Sequence, residues 1–179
     1  MKPLTLFSGV IFLVGIFTVS VRAAKPDTGE SFVPLRTAVS RAPGWTEQKG
    51  QYRFFTAKEL YGIIDGGAVE HVKQGLKNGI GLSFTKGNNA LDIYFEDFGT
   101  VSRAKGMVEL KRKSLSDTKD IPLVTIKPAL YEGVIGGCIA YWAKSRYYIE
   151  MTLTGYDSTK IAVRDAVVLI DSISPSIVK

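Results

Sequence analysis

One cysteine and one histidine stand in a chain of 179 residues, and both scarcities exclude chemistry. The lone Cys138 rules out an intrachain disulfide. It lies in the apolar run Cys138-Ile139-Ala140-Tyr141-Trp142, where a free cysteine reads as a small buried hydrophobe. The lone His71 rules out every metal site built on several histidines. No serine sits in a nucleophile-elbow motif to partner that histidine. Phosphate loop, dinucleotide glycine fingerprint, zinc pattern and calcium loop are all missing, so no cofactor is expected. Gly133-Val134-Ile135-Gly136-Gly137 has glycines but precedes a strand, and so reads as a turn.

A strong charge excess is missing too. The formal net charge is +6, of which Lys2 and Arg22 belong to the first segment of the chain. Met1 to about Ala23 has the build of a signal peptide. Lys2 supplies the positive start, Val10 to Val21 the apolar stretch, and Val21-Arg22-Ala23 the small or apolar positions that a signal peptidase reads. The uninterrupted apolar part is shorter than the ~20 residues of a spanning helix, although an uncleaved anchor over Leu4 to Val21 is the alternative. No cysteine near the cut offers a lipid attachment point. Without the leader, 21 basic residues face 17 acidic ones, a charge of +4. That is compatible with weak contact to an anionic membrane surface and is no nucleic-acid footprint. The expectation is an exported protein, periplasmic or extracellular.

The remaining 156 or so residues suffice for one domain with its own core. Residues 24–44 hold three prolines and two glycines without a period, and read as a linker or extended lead-in. A single domain is expected over 45–176. Tyr52-Arg53-Phe54 alternates as a strand. Thr56 and Glu59 form the pattern of a capping box, flanked by Phe55 and Leu60 as a staple, so a helix is predicted from there towards Lys77. Leu60, Ile64, Gly67, His71 and Gly75 would share its buried stripe, widened by Ile63, Ala68 and Val72.

Gly79–Lys86 and Ala90–Phe98 alternate about the turn residues Gly87-Asn88-Asn89, which predicts a hairpin. A helix over Val101 to about Lys113 should turn Val101, Ala104, Met107, Val108 and Leu110 inward, with Lys111, Arg112 and Lys113 suiting its C-terminal dipole. Leu123 to Ile126 reads as a strand. Ile139–Ala143 and Tyr147–Leu153 form a second hairpin about Lys144-Ser145. Asp157 or Ser158 can cap a last helix over Thr159 to Ser172, with Ile161, Ala166, Leu169, Ile170 and Ile173 facing the core. The predicted class is α+β: two layers, antiparallel hairpins with about three helices on one face.

The least ordinary stretch is Leu60 to His71. Three glycines in six residues, Gly62, Gly66 and Gly67, each cost a helix about 1 kcal/mol relative to alanine. Close packing at Gly67 is one reason, and a kink or backbone-lined site beside Asp65 is the other. Tyr61, Asp65, Gly66, Gly67, Glu70 and Asp97 are the candidate ligand-binding residues. Glu70 falls about 140° from Asp65 on an unbroken helix, so an acid/base pair needs a second carboxylate from Glu96 or Asp97. His71, in an apolar stripe, reads as a satisfied core histidine. The aromatic cluster Tyr141, Trp142, Tyr147 and Tyr148 has hairpin spacing and reads as packing, with a carbohydrate- or peptide-binding face as the alternative.

Three stretches together resemble a bacterial exported family without an assigned activity, the domain of unknown function numbered sixty-five ninety-nine. They are Pro43-Gly44-Trp45 with Phe55-Thr56 and Leu60 to Glu70; Ile93-Tyr94 with Asp97-Phe98-Gly99 and Ala104 to Met107; and Gly136-Gly137 with Tyr141-Trp142 and Arg146-Tyr147-Tyr148. The resemblance spans roughly Pro43 to Leu153. Phe98 replaces a usual methionine, and His71 an aliphatic or aromatic residue. What the resemblance implies is export and a compact fold, and it leaves the function open. The reading is a non-catalytic domain that binds a small ligand or an envelope protein. The alternative is a carboxylate-dependent hydrolase of envelope polymer, using Asp65 or Glu70 with Asp97. A third is a membrane-surface accessory held by an uncleaved leader.

Overall fold

A computed structural model describes residues 29–64, 67–115, 118–120 (backbone only), 128–132, 134 and 136–177. The leader, Asp65, Gly66 and the expected strand over Leu123 to Ile126 lie outside the described residues. The strands are β1 (Thr46–Glu47), β2 (Arg53–Thr56), β3 (Asn78–Lys86), β4 (Asn89–Asp97), β5 (Thr118–Asp120), β6 (Ala129–Tyr131), β7 (Cys138–Lys144) and β8 (Tyr147–Thr154). The helices are α1 (Val33–Ser40), α2 (Ala68–Gln74), α3 (Val101–Ser114) and α4 (Thr159–Ile173).

All described strands join one antiparallel sheet in the order β1-β3-β4-β8-β7-β6-β5, with β2 following β1 along the same edge of β3. Two tight hairpins build its centre. Gly87-Asn88 turns β3 into β4, because Gly87 takes a positive φ of 61° that suits a two-residue loop. Ser145-Arg146 turns β7 into β8. Both hairpins fall where the alternation placed them, within a residue at each end.

Alternation along the strands gives the sheet two apolar faces. Ile80, Leu82, Leu91, Ile93, Trp142 and Ile149 point to the first, beneath α1 and α4. Phe55, Phe98, Tyr141 and Tyr148 point to the second, beneath α2 and α3. The α+β class with an antiparallel sheet is therefore as expected, but the helices divide between both faces and the architecture has three layers. The reason is visible in the strands: Tyr141 and Tyr148 alternate with the first set, so the face that a one-sided pattern leaves to water is itself apolar. Tyr141 and Tyr148 stack there with ring centroids 6.4 Å apart.

The first layer begins earlier in the chain than expected. Residues 33–40 form a helix inside the predicted lead-in, with Pro34 in its first turn where no amide hydrogen bond is lost. Leu35 and Val39, four apart, share one face and are buried beside Phe32 and Ala42. Helix α4 keeps Ala166, Leu169, Ile170 and Ile173 in the core, as expected, whereas Ile161 is 44% exposed. It is tied to the first hairpin through Asp165, whose Oδ2 accepts from Lys86 Nζ and from the Tyr156 hydroxyl, both at 3.0 Å. In α3, Ala104, Met107 and Val108 are buried, while Val101 and Leu110 are exposed.

The largest departure lies between Thr56 and Lys77. Glu59 does reach back: its carboxylate accepts from the Thr56 amide at 2.8 Å and from the Thr56 hydroxyl at 2.9 Å. The chain then makes one tight turn, Glu59–Gly62, before the separate seven-residue α2, started at Gly67 and closed at Gly75 with a φ of 96°. The expected long helix is thus two separate pieces, the first ending at Gly62 and the second starting at Gly67. A Cβ on Gly62 would meet nothing within 4 Å, and one on Gly67 would make only an ordinary contact with Ile64. Close packing is thus not what these two glycines serve.

Candidate functional site

Helix α2 buries two side chains, Ala68 and His71. Glu96, on β4, rises from the second sheet face to meet the histidine: Nδ1 and Oε2 are 2.6 Å apart, with the side chains 2% and 3% exposed. The rings of Tyr148 and Phe98 wall the imidazole at centroid distances of 5.8 and 6.5 Å. Tyr148 is also the cross-strand partner of Glu96. Its hydroxyl donates to Glu150 Oε2 at 2.8 Å, and Lys111 Nζ stands 3.6 Å from the same oxygen. The Nε2 of His71 is buried with no hydrogen-bond partner among the described residues.

Burial dominates the electrostatics of this pair. It pushes the Glu96 carboxyl above the ordinary glutamate range, against the opposing pull of the His71 hydrogen bond. Tyr148 is driven well above the usual phenol range, first by burial and then by the neighbouring Glu150 and Glu96 carboxyls. The pair can hold a proton between Nδ1 and Oε2. A general acid/base must reach a substrate, and both side chains are closed off from solvent. His71 lies in the core as expected, but it is only half satisfied: among the described residues it is bonded at Nδ1 alone.

Among the described residues, Tyr61, Glu70 and Asp97 do not converge on one site. Tyr61, on the tight turn, is 55% exposed, and Glu70 points to solvent from α2. Gly67 starts that helix. Asp65 and Gly66 lie outside the described residues. Asp97 is one step beyond Glu96 on β4, so its side chain leaves the opposite face of the sheet from α2. There its Oδ1 accepts the Gly99 amide at 2.6 Å, and its Oδ2 pairs with Arg146 at 3.0 Å. The pairing of Glu70 with Asp97 has no geometry to support it. In the sequence Glu96 stands only as a second carboxylate; the signal that identifies its partner is the sole histidine in an apolar stripe, which needs a polar group from another element.

A cleft opens elsewhere, at the sheet edge. Glu47 pairs with Phe84 and Arg53 with Gly81, so the five residues 48–52 span a gap of two on β3. Gln48 keeps one bond to β3, from its amide to the Ser83 carbonyl at 2.8 Å, and the chain then leaves the sheet as an excursion, turned by Gly50 at a φ of 80° and closed by a bond from the Gln51 amide to the Gln48 carbonyl. Beneath it is a hollow of about 460 Å³ lined by Gln51, Arg53, Ile63, Gly81, Ser83 and Tyr94. Gly81 is the cross-strand partner of Tyr94, and a Cβ there would come within 2.9 Å of its ring, so the ring lies across the glycine. The Ser83 hydroxyl donates to Asp92 on the next strand. A second hollow, of about 590 Å³, lies between α1 and the end of α4, beside Pro34, Thr37, Arg41 and Ser172. Among the described residues no group of three His, Cys, Asp or Glu side chains is placed to hold a metal ion. None of the described helices is long and apolar enough to cross a membrane.

No family model matches the chain, and no curated protein does. Among solved structures, the extracellular domain of PknH from Mycobacterium tuberculosis is similar at 12% identity and a TM-score of 0.46, over 78% of this chain and 89% of that one.

Proposed function

We propose that this chain is an exported, non-catalytic binding domain and that the cleft under residues 48–52 seats its ligand. One observation carries the reading: the cleft gathers Arg53, Gln51, Ser83 and Tyr94 in one open lining, whereas the buried His71–Glu96 pair is sealed. Its volume of about 460 Å³ is that of a small-molecule site. A ring beside several donors and acceptors suits a saccharide or a short peptide, the kinds of molecule an envelope offers. Export rests on the leader pattern of Met1 to Ala23. The resemblance to the exported family sixty-five ninety-nine belongs to the same proposal.

The hydrolase reading is the weaker one, because Glu70 points to solvent from α2 while Asp97 leaves the opposite face of the sheet and is already engaged. The test is an amide-shift titration of the isotope-labelled protein with soluble envelope saccharides and peptides. The expected result is saturable movement at Gln51, Arg53, Gly81 and Tyr94, and loss of that movement in Tyr94→Ala, with no new product on chromatography. Turnover of any fragment that disappears in Asp65→Asn would overturn the binding-only reading. The export premise is checked by sequencing the N-terminus of the protein from cells: a start at Ala24 with soluble fractionation supports release, and an intact leader in the membrane fraction supports the tethered accessory.

A further inference from the structure

We propose that the His71–Glu96 hydrogen bond is a proton-operated latch that pins α2 to the second sheet face and lets it open as the pH rises. The geometry makes the pair decisive for this segment. Helix α2 has seven residues, too few to be stable by itself. It buries only Ala68 and His71, so one of its two anchors is titratable. The imidazole has a single hydrogen bond among the described residues, to Glu96, since Nε2 is unpartnered. Beyond that bond, Gln74 reaches the Arg103 carbonyl on α3 at 3.1 Å, and the chain leaving the helix is held by the Leu76 amide on the His71 carbonyl. Opening would bare the aromatic floor of Phe98 and Tyr148.

The direction of the pH dependence is set by the surroundings of the carboxyl. The charged and titratable groups facing it are His71 from α2, Tyr148 and Glu150 from β8, Lys111 from α3, and Tyr94 from its own strand. Glu150 and burial oppose ionisation of Glu96; His71 and Lys111 favour it, and burial prevails. A carboxyl that holds its proton more tightly when closed in than when hydrated takes up that proton on closing. Closing is therefore favoured as the pH falls through the raised value towards the ordinary glutamate range, and opposed as the pH climbs above it. Above it the site encloses an ionised carboxylate beside two aromatic rings, and hydrating it by moving α2 away relieves the cost. The opening constant rises by at most tenfold for each pH unit within that window.

Hydrogen exchange on the purified protein between pH 5 and pH 9 tests this, read as protection factors so that the intrinsic pH dependence of exchange cancels. The Gly75 and Leu76 amides should lose protection with rising pH, by up to tenfold per unit, while Ile149 and Met151 in the centre of β8 should not follow. In E96Q, which keeps the shape and cannot ionise, the dependence should vanish and protection at pH 9 should exceed that of the unmodified protein. A merely structural role for Glu96 would leave the slope in E96Q. Should E96Q fail to fold, the carboxyl carbon of Glu96 in the unmodified protein is followed by NMR: its midpoint must coincide with that of the α2 amides. Flat α2 protection, an unchanged slope in E96Q, or separate midpoints would each overturn the latch.

Discussion

Asp97 and Arg146 are joined across the end of the central strands, with 3.0 Å between Oδ2 and the guanidinium, while the other carboxylate oxygen of Asp97 takes the Gly99 amide. Gly99 has a φ of 73°, so this one carboxylate secures both the turn leaving β4 and the hairpin that opens β8. Asp97 is 3% exposed and cannot leave its donors to serve a substrate without dismantling that corner. Asp97→Ala should therefore cost stability, about 2 kcal/mol for a charge-assisted bond and an orphaned amide, read as a lower urea midpoint. Ligand-induced shifts in the cleft should survive under conditions where the variant is folded. Lost binding with unaltered stability would return Asp97 to the candidate site.

Cys138 is fully buried, and burial, with a smaller contribution from Glu132, pushes its thiol up to about 12. Only the thiolate attacks a disulfide reagent, so native protein at pH 8 should react very slowly with an aromatic disulfide. In denaturing urea one thiol per chain should appear at once. Fast native reaction, or a disulfide-linked dimer on a non-reducing gel, would contradict the burial.

The fold is legible in the sequence wherever its signals are local. Both hairpins show because alternation of Ile80, Leu82 and Phe84, or of Tyr147, Ile149 and Met151, needs no knowledge of distant residues. Helix α4 shows because its cap position at Ser158 and its apolar spacing are contiguous in the chain. Helix α1 does not, because eight residues containing a proline acquire a reason to be helical only when Leu35 and Val39 meet the sheet. The second sheet face is hidden for a related cause: Tyr141 and Tyr148 have polar tips, and the chain does not say that helices will cover them. The site is the least legible part. His71 and Glu96 are 25 residues apart and come together only through the β3–β4 hairpin, and the cleft is made by a break in edge pairing that no single residue announces.

Helix α4 offers a side-by-side test of which face is inward. Leu169 is 2% exposed and Val168 is 59% exposed, although they are neighbours with similar side chains. Leu169→Ala removes buried carbon and leaves a cavity under the helix, at a cost of about 2–5 kcal/mol. Val168→Ala should stay within about 0.5 kcal/mol of the unmodified protein. Equal losses in urea titrations would mean that the exposed stripe of α4 is covered by a second molecule in solution.

Gly62 and Gly79 separate two reasons for keeping a glycine. Gly79 lies in the β3–β4 pairing, where a Cβ would stand 2.7 Å from the Phe95 carbonyl oxygen and 2.6 Å from the Phe55 ring. The carbonyl belongs to a paired strand and cannot retreat, so Gly79→Ala should destabilise by about 1–3 kcal/mol. Gly62 has nothing within 4 Å of such a Cβ, and its φ is not in the left-handed region. Gly62→Ala should then stabilise the fold by about 0.5 kcal/mol by narrowing the unfolded ensemble. It should also lengthen the turn at Glu59–Gly62 towards the continuous helix that the spacing of Leu60, Ile64 and His71 describes. Far-ultraviolet circular dichroism reads the gain in helix and urea titration the gain in stability. A loss of stability instead would show that the break before α2 is itself required by the packing of His71 against Glu96.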